Sequence, residues 1–490
     1  MKRGKVSFVW WMSLIALAGC GKDSAESAVP STEKEVGAVV EQQGPPKRIF
    51  ARKHVVKVRE AADKQSFRLG YLRAGAVLMS SSDRAVGNES CLGGWYPLET
   101  GGFVCNRRDV IAFEGSRLPE RQAAQPKLDE KLPYVYGYNR KDGTPMYKRL
   151  PDEEEAMMYE GYVPPSAPPP VSSETSQAIE LSTGESAKEE TAPPTLDSLK
   201  AERESVLQRH LVRGFIVSLD REMEKGARKY WRTLSNGFIP YKRMYEMHGS
   251  DFRGKELNAE TGLALPLAVM MSDNYLSYRL DDKQRLRRGA KPGYHTFFPV
   301  LGKSEHGGRV YYESGDGVLL RDRDLRLISI RDKPEEVADN EKWIDVDLNT
   351  QSLVAYVGET PVFATLVSTG RVMKREDPLR NHETPTGSFR ITSKHLSATM
   401  DGDHAVDGPY SIEDVPYVMY FQLAYAFHSA FWHNRFGKSK SHGCINLAPW
   451  DARFLFNWAE PKLPAGWHGV FPKDDLPGTR VYIRGETEEG

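Results

Sequence analysis

The chain has 490 residues, room for two to four domains, and its 67 Lys and Arg balance 67 Asp and Glu. That balance gives no electrostatic reason to expect a nucleic-acid partner, and no segment beyond Cys20 is apolar enough to span a membrane. Only four cysteines and 12 histidines are present, so any clustering among them calls for a chemical reason.

Lys2, Arg3 and Lys5 make a basic start, and an apolar run follows from Val6 to Ala18. The run falls short of the roughly 20 residues a membrane-spanning helix needs and has the length of a signal-peptide core. It ends in Leu17-Ala18-Gly19-Cys20, which resembles the lipobox of bacterial lipoproteins, whose cysteine becomes the lipidated first residue of the mature chain. The alternative is an ordinary cleaved signal with a chance cysteine. Because Gly21 and Lys22 follow Cys20 and no aspartate does, the resemblance implies the outer membrane, with the protein lipid-anchored on the periplasmic face of the bacterial envelope. Acyl chains contributing about 0.8 kcal/mol per buried methylene would hold it there. Residues 1–20 are therefore expected to be a lipoprotein signal peptide. Residues 21–49, with no aromatic side chain, are expected to be a flexible tether.

Residues 50–113 alternate short apolar runs with turn signals, the pattern of a small all-β unit. "RLGYLRAGAVL" and "CLGGWYPLETGGFVC" resemble an SH3-like bacterial module, a type that binds cell-wall peptides or acts as a spacer. Cys91 and Cys105 bracket a hairpin carrying Trp95 and Phe103, and an oxidising compartment predicts a disulfide between them. Closing a loop of about 15 residues contributes roughly 3 kcal/mol in the chain-entropy view. Residues 114–163 form an intermediate β segment, in which "LPYVYGYNRKDGTPMYKRLP" suggests a strand pair about Asp142-Gly143. Residues 164–200 are rich in Pro, Ser and Glu and read as a linker. Residues 201–340 restart with a short helix over "LKAERESVLQRHLV" and then a β pattern. The hairpin-like "YWRTLSNGFI" repeats the form of "WYPLETGGFV", which suggests a second SH3-like unit.

From residue 341 to 486 the period-two signal sharpens. Ile344, Val346 and Leu348 alternate with acidic residues, Leu353, Ala355 and Val357 follow the turn, and Val362–Val367 makes a third strand. Such alternation predicts a sheet with one buried face. The stretch "AFHSAFWHNRFGKSKSHGCINL" then gathers His428, His433, His442 and Cys444. A thiol attacks as thiolate, and a neighbouring imidazole can take its proton. Gly443 permits a tight turn in which backbone N–H groups converge on one point, as an oxyanion requires. Zinc bound by His428, His433, His442 and Cys444 is another reading, but their spacing matches no common structural-zinc pattern. A buried structural cysteine is a third. With Cys20 assigned to lipid and Cys91 to Cys105, Cys444 is left unpaired in an oxidising compartment, which favours a needed thiol.

Ser441-His442-Gly443-Cys444-Ile445-Asn446 downstream of His428, together with "IDVDLNTQSLVAYVGE", "VSTG", "TPTGSFRI" and "NLAPWDARFLFNW", resembles the L,D-transpeptidase catalytic domain of the YkuD type. The resemblance covers residues 341–486. It implies a β-sandwich catalytic domain at the C-terminus, so the chain as a whole is expected to be mainly β, with the small SH3-like β modules preceding that domain. It also implies a cysteine acyltransferase acting on peptidoglycan stem peptides. Cys444 would attack the third residue of a donor tetrapeptide and release D-alanine, and an acceptor amine of a neighbouring stem would resolve the thioester into a 3→3 cross-link. Water as acceptor would make the same chemistry a hydrolase that trims peptidoglycan or detaches proteins from it, and an inactive domain would leave a lipid-anchored wall-binding protein. In the implied site His428 is the general base, oriented by the backbone carbonyl of Ser429. His442 and Gly443, with Cys444, form the oxyanion hole and pocket. Tyr420, Trp432, His433, Ser441 and Asn446 line the substrate site or hold its loop. No metal and no organic cofactor is implied. The segment 395–410, carrying Asp401, Asp403 and Asp407 beside His395 and His404, reads as a substrate lid and only loosely as a metal site.

Overall fold

Short β-branched and aromatic runs punctuated by Gly and Asn turns dominate the chain, and strands result nearly throughout. Residues 45–120, 122–161, 205–371, 381–402 and 410–485 are described in this computed structural model. Cys20, most of the tether, the segment 164–200, and Asp403, His404 and Asp407 lie outside the described residues. The described residues fall in one compact unit, in which β modules precede a C-terminal sandwich.

The first module pairs strand Val56–Arg59 with Arg68–Leu72 and Cys91–Pro97 with Phe103–Cys105. The expected Cys91–Cys105 disulfide closes the latter hairpin, with the Cα atoms 5.9 Å apart. Its core of Val58, Leu72, Leu78, Tyr96 and Val104 also admits Trp467 from the C-terminal domain. Strand Arg68–Leu72 pairs with Gly469–Val470, so this module and the C-terminal domain share backbone hydrogen bonds. A Cβ on Gly70 would lie 2.1 Å from the Gly469 carbonyl oxygen, so only glycine allows that approach.

The second module departs from the sequence reading in three ways. Strands Val135–Asn139 and Thr144–Tyr147 flank Asp142-Gly143 but do not pair with each other. The first pairs with Ile216–Lys225 and Met244–Met247, the second with Leu207–Leu211 and Phe238–Pro240. The segment 164–200 is thus not a boundary between the expected domains 114–163 and 201–340, because strands on either side of it close one β unit. Residues 207–211, expected to be helical, form the strand Leu207–Leu211, which Thr144–Tyr147 draws into the sheet. The two hairpins that look alike in sequence are both antiparallel hairpins. Residues 267–328 build a further β unit from a three-stranded and a five-stranded sheet.

The C-terminal domain is a sandwich. One sheet runs in the order Lys255–Glu256, Thr360–Leu366, Ser352–Val357, Lys342–Asp347, Arg480–Arg484, Gly387–Arg390. Facing it are Ser393–Gly402, Tyr410–Gln422, Tyr425–Ser429 and Ile445–Leu447, with the helix Pro449–Trp458 alongside. Ile344, Val346, Leu353, Phe427, Ile445 and Leu455 meet between them. The expectation of one buried face is incomplete. Trp343, Val354, Tyr356 and Leu366 on the other face pack against Phe252, Leu267, Val269 and Val337, so both faces are covered. Arg484 bonds both the Asp345 and the Asp347 carboxylates there, and burial still pushes the Asp345 carboxyl above its usual range.

One buried ion pair joins three parts of the fold. Arg73 of the first module donates to both oxygens of Asp414 in the C-terminal domain. Ser218 of the second module (2.6 Å) and Ser397 (2.8 Å) donate to the same carboxylate, and the Tyr136 hydroxyl donates to the Asp414 backbone carbonyl at 2.6 Å. Burial pushes the carboxyl pKa up, but Arg73 and the two hydroxyls outweigh it and hold the group below its usual range.

Candidate active site

Tyr425–Ser429 and Ile445–Leu447 run parallel, with His428 opposite Asn446. That register places the imidazole next to the turn that ends at Cys444. Both residues line a cleft of about 700 Å³ together with Tyr425, Trp432, Lys440, Ser441, His442 and Asn446. Cys444 is the free cysteine among the described residues and is half-buried. Its thiol donates to the Ala424 carbonyl at 3.6 Å.

A carbonyl only accepts, so the 3.1 Å contact between His428 Nδ1 and the Ser429 oxygen puts the proton on Nδ1 and leaves Nε2 as the basic nitrogen. His428 is buried and Trp432 lies across its ring, centroids 5.8 Å apart. Burial lowers the imidazole pKa to about 4, the Ser429 carbonyl opposing only in part. Burial likewise raises the Cys444 thiol to about 11, against a smaller lowering by the Ala426 backbone. At neutral pH the two groups therefore stand as neutral thiol and neutral imidazole, an arrangement suited to proton transfer during attack.

The turn before Cys444 is held from several sides. Gly443 has φ +115°, and a Cβ there would meet the Tyr425 ring at 2.5 Å, so the position demands glycine. The Ser441 hydroxyl donates to the Cys444 carbonyl and accepts from the Gly443 N–H at 3.1 Å. That bond occupies the Gly443 amide, so its assignment to an oxyanion hole does not fit this arrangement. Thr384, in the "TPTG" turn, donates to the Gly443 carbonyl at 2.7 Å and accepts from the Gly370 N–H at 2.8 Å. The sequence pattern marks the "TPTG" turn but does not by itself single out Thr384 as the residue that positions the Gly443 carbonyl.

The remaining expected residues divide. Asn446 lines the cleft, with Nδ2 3.2 Å from His433 Nε2 and a buried Oδ1 that has no partner among the described residues. His433 itself faces a separate cavity, between Trp432 and Phe252. Tyr420 packs edge-on to His395 at 5.6 Å and, with Trp432 and Cys444, borders one apolar cluster. Of the segment 395–410 expected to be a lid, the described residues 395–402 and 410 are strand, Ser393–Gly402 paired with Tyr410–Gln422; residues 403–409 lie outside the described residues. His395 is turned away from the cleft and spends its ring nitrogens on Tyr71 and Ser393, each at 3.0 Å. Cleft-lining residues that the sequence did not single out are Tyr138, Gly214 and Ile216 of the second module, and Arg371, Met400, Tyr410 and Ile412 of the catalytic domain.

A β-sandwich presenting a thiol and an imidazole to one cleft is the class of domain these features define. Residues 341–483 match the YkuD family, the L,D-transpeptidase catalytic domain, and the C-terminal part of this chain is a domain of that family. Among solved structures, the chain is similar to the catalytic domain of an L,D-transpeptidase from Enterococcus faecium, at 26% identity over 30% of this chain and 98% of that one, with a TM-score of 0.22. It is also similar to an L,D-transpeptidase from Mycobacterium smegmatis, at 14% identity over 55% and 99% of the two chains, with a TM-score of 0.23. An L,D-transpeptidase from Stackebrandtia nassauensis matches at 21% identity over 31% and 60%, with a TM-score of 0.22. The assignment rests on the family match. No curated protein matches the chain.

Proposed function

We propose that the protein is a lipid-anchored L,D-transpeptidase of the bacterial envelope. In this reading Cys444 attacks the carbonyl of the third residue of a peptidoglycan stem tetrapeptide. The thiol proton passes to His428 Nε2, the C–N bond to D-alanine breaks, and the leaving amine takes the proton. An amine of a neighbouring stem then attacks the thioester, restoring the thiol and forming a 3→3 cross-link. The observation that carries the reading is the shared cleft. Cys444 and His428 both line it, and the Ser429 carbonyl fixes the imidazole with Nε2 unprotonated. Lipidation at Cys20 would keep the enzyme beside its polymer.

The test is to incubate purified protein with disaccharide-tetrapeptide and follow the products by mass spectrometry. Cross-linked dimers with loss of D-alanine, absent with Cys444→Ala, are expected. Tripeptide without dimer would reassign the protein as a hydrolase, and turnover by Cys444→Ala would overturn the reading.

A further inference from the structure

The stretch "YVYGY" places Tyr134, Tyr136 and Tyr138 on one face of the strand Val135–Asn139 and its approach, since alternate residues share a face. That face meets the catalytic domain. Arg73, bound to Asp414, lies over the Tyr134 ring at 5.8 Å. Tyr136 bonds the Asp414 carbonyl and packs on Phe431, ring centroids 4.2 Å apart. The third tyrosine, Tyr138, lines the cleft that holds Cys444. It lies outside the 341–483 family region.

The surroundings of Tyr138 are built to hold it. Asn139, fully buried, donates through Nδ2 to the carbonyls of Lys141 (2.8 Å), Leu211 (3.2 Å) and Val212 (2.8 Å). Its backbone accepts from the Gly214 N–H at 3.0 Å and donates to the Phe215 carbonyl at 2.8 Å. The turn 211–215 is thereby fixed against the strand, and Gly214, at φ +98°, borders the Tyr138 hydroxyl. Next along, Ile216 pairs in register with Ile412 of the catalytic domain. Tyr138 is half-buried, and its hydroxyl has no hydrogen-bond partner among the described residues.

We propose that the second β module supplies the outer wall of the substrate cleft and that Tyr138 is a specificity-determining residue for the stem peptide. The inference rests on the proposed transpeptidase reading and extends it. Ile216, Ile412, Met400 and the Tyr138 ring make an apolar side, and Lys440 makes a cationic one. Such a cleft suits a peptide whose polymethylene side chain lies on the first side while a carboxylate meets the second. The tyrosine hydroxyl is available to a peptide amide between them.

The experiment compares two reactions of the full-length protein. Acylation by a small carbapenem needs Cys444 and His428 but little of the wall, whereas turnover of disaccharide-tetrapeptide needs both. Tyr138→Ala is expected to raise KM for the tetrapeptide on the order of tenfold more than it slows carbapenem acylation. Tyr138→Phe, which keeps the ring, is expected to fall between it and the unaltered protein. Equal effects of Tyr138→Ala on both reactions would overturn the proposal, because the residue would then act through the fold or the thiol. No effect on either would also overturn it and leave the module a spacer. Peptide turnover that survives Cys444→Ala would instead refute the underlying transpeptidase reading, an outcome none of the Tyr138 results can mimic.

Discussion

Replacing His428 with alanine tests whether the cysteine and histidine work as a neutral pair. With the thiol raised to about 11, only about one molecule in 10⁴ carries a thiolate at pH 7. On the proposed reading, attack by preformed thiolate is a minor route, and proton removal by His428 during attack supplies most of the rate. Losing a general base costs a factor on the order of 10² to 10⁴, and the scarcity of thiolate places His428→Ala towards the upper end of that range at pH 7. The variant can react only as thiolate, so its acylation rate by a carbapenem should climb about tenfold per pH unit between pH 7 and pH 10. The unaltered protein should behave differently. Its imidazole, lowered to about 4, is an unprotonated base at every higher pH, so the rate should be level from about pH 5 to about pH 9 and fall only on further acidification. The two profiles converge as pH rises. Stopped-flow acylation across that range, with the ultraviolet absorbance of the thiolate followed in parallel, checks both curves. A thiolate signal at pH 7 that disappears with Cys444→Ala would show a preformed ion pair and refute the reasoning.

Three other outcomes follow from the structure. Gly443→Ala should cost about 1–3 kcal/mol of backbone strain at the nucleophile turn and lower acylation at least as far as stability, read by thermal unfolding and by mass shift with a carbapenem. Asp414→Asn leaves Arg73 without its buried partner and should destabilise the fold by about 3–5 kcal/mol, measured by urea unfolding at pH 7. Because the Asp414 carboxyl is held below its usual range, the stability it provides is present above the unfolded pKa and lost as pH falls through the folded one. Asp414→Asn should therefore flatten the acid limb of the stability curve. Cys20→Ala should release the protein from membrane fractions; unchanged fractionation and maturation would remove the lipoprotein reading.

The C-terminal domain was legible because its signals are local. Alternation in "IDVDL" and "LVAYV" gives the strands, and Ser441 to Asn446 carry the family resemblance within six consecutive residues. Gly443 could be read as a tight turn, and its φ of +115° agrees. The Cys91–Cys105 disulfide was readable for the same reason, since its two ends bracket a single hairpin. The Gly443 amide was misjudged because its partner, the Ser441 hydroxyl, competes for the N–H on geometry that no spacing reveals.

What escaped the sequence depends on partners far away in the chain. Acidic residues alternating with apolar ones mark a solvent-facing side unless a cation covers them, and the cation for Asp345 and Asp347 is Arg484, 139 and 137 residues on. The second module failed for a related reason. Leu207–Leu211 carries a charged and polar centre with little strand character of its own, and it becomes a strand because Thr144–Tyr147 offers it a free edge. A compositional break between two segments is evidence of a boundary only if neither side still needs a partner. Thr144–Tyr147 is buried along its whole length, so it needed strands from beyond the break on both of its edges. The same reasoning links the module to the cleft. Three alternate tyrosines announce a strand with an aromatic face, and an aromatic face must be covered. Here a neighbouring domain covers the first two, and the third borders the space in which a substrate would stand.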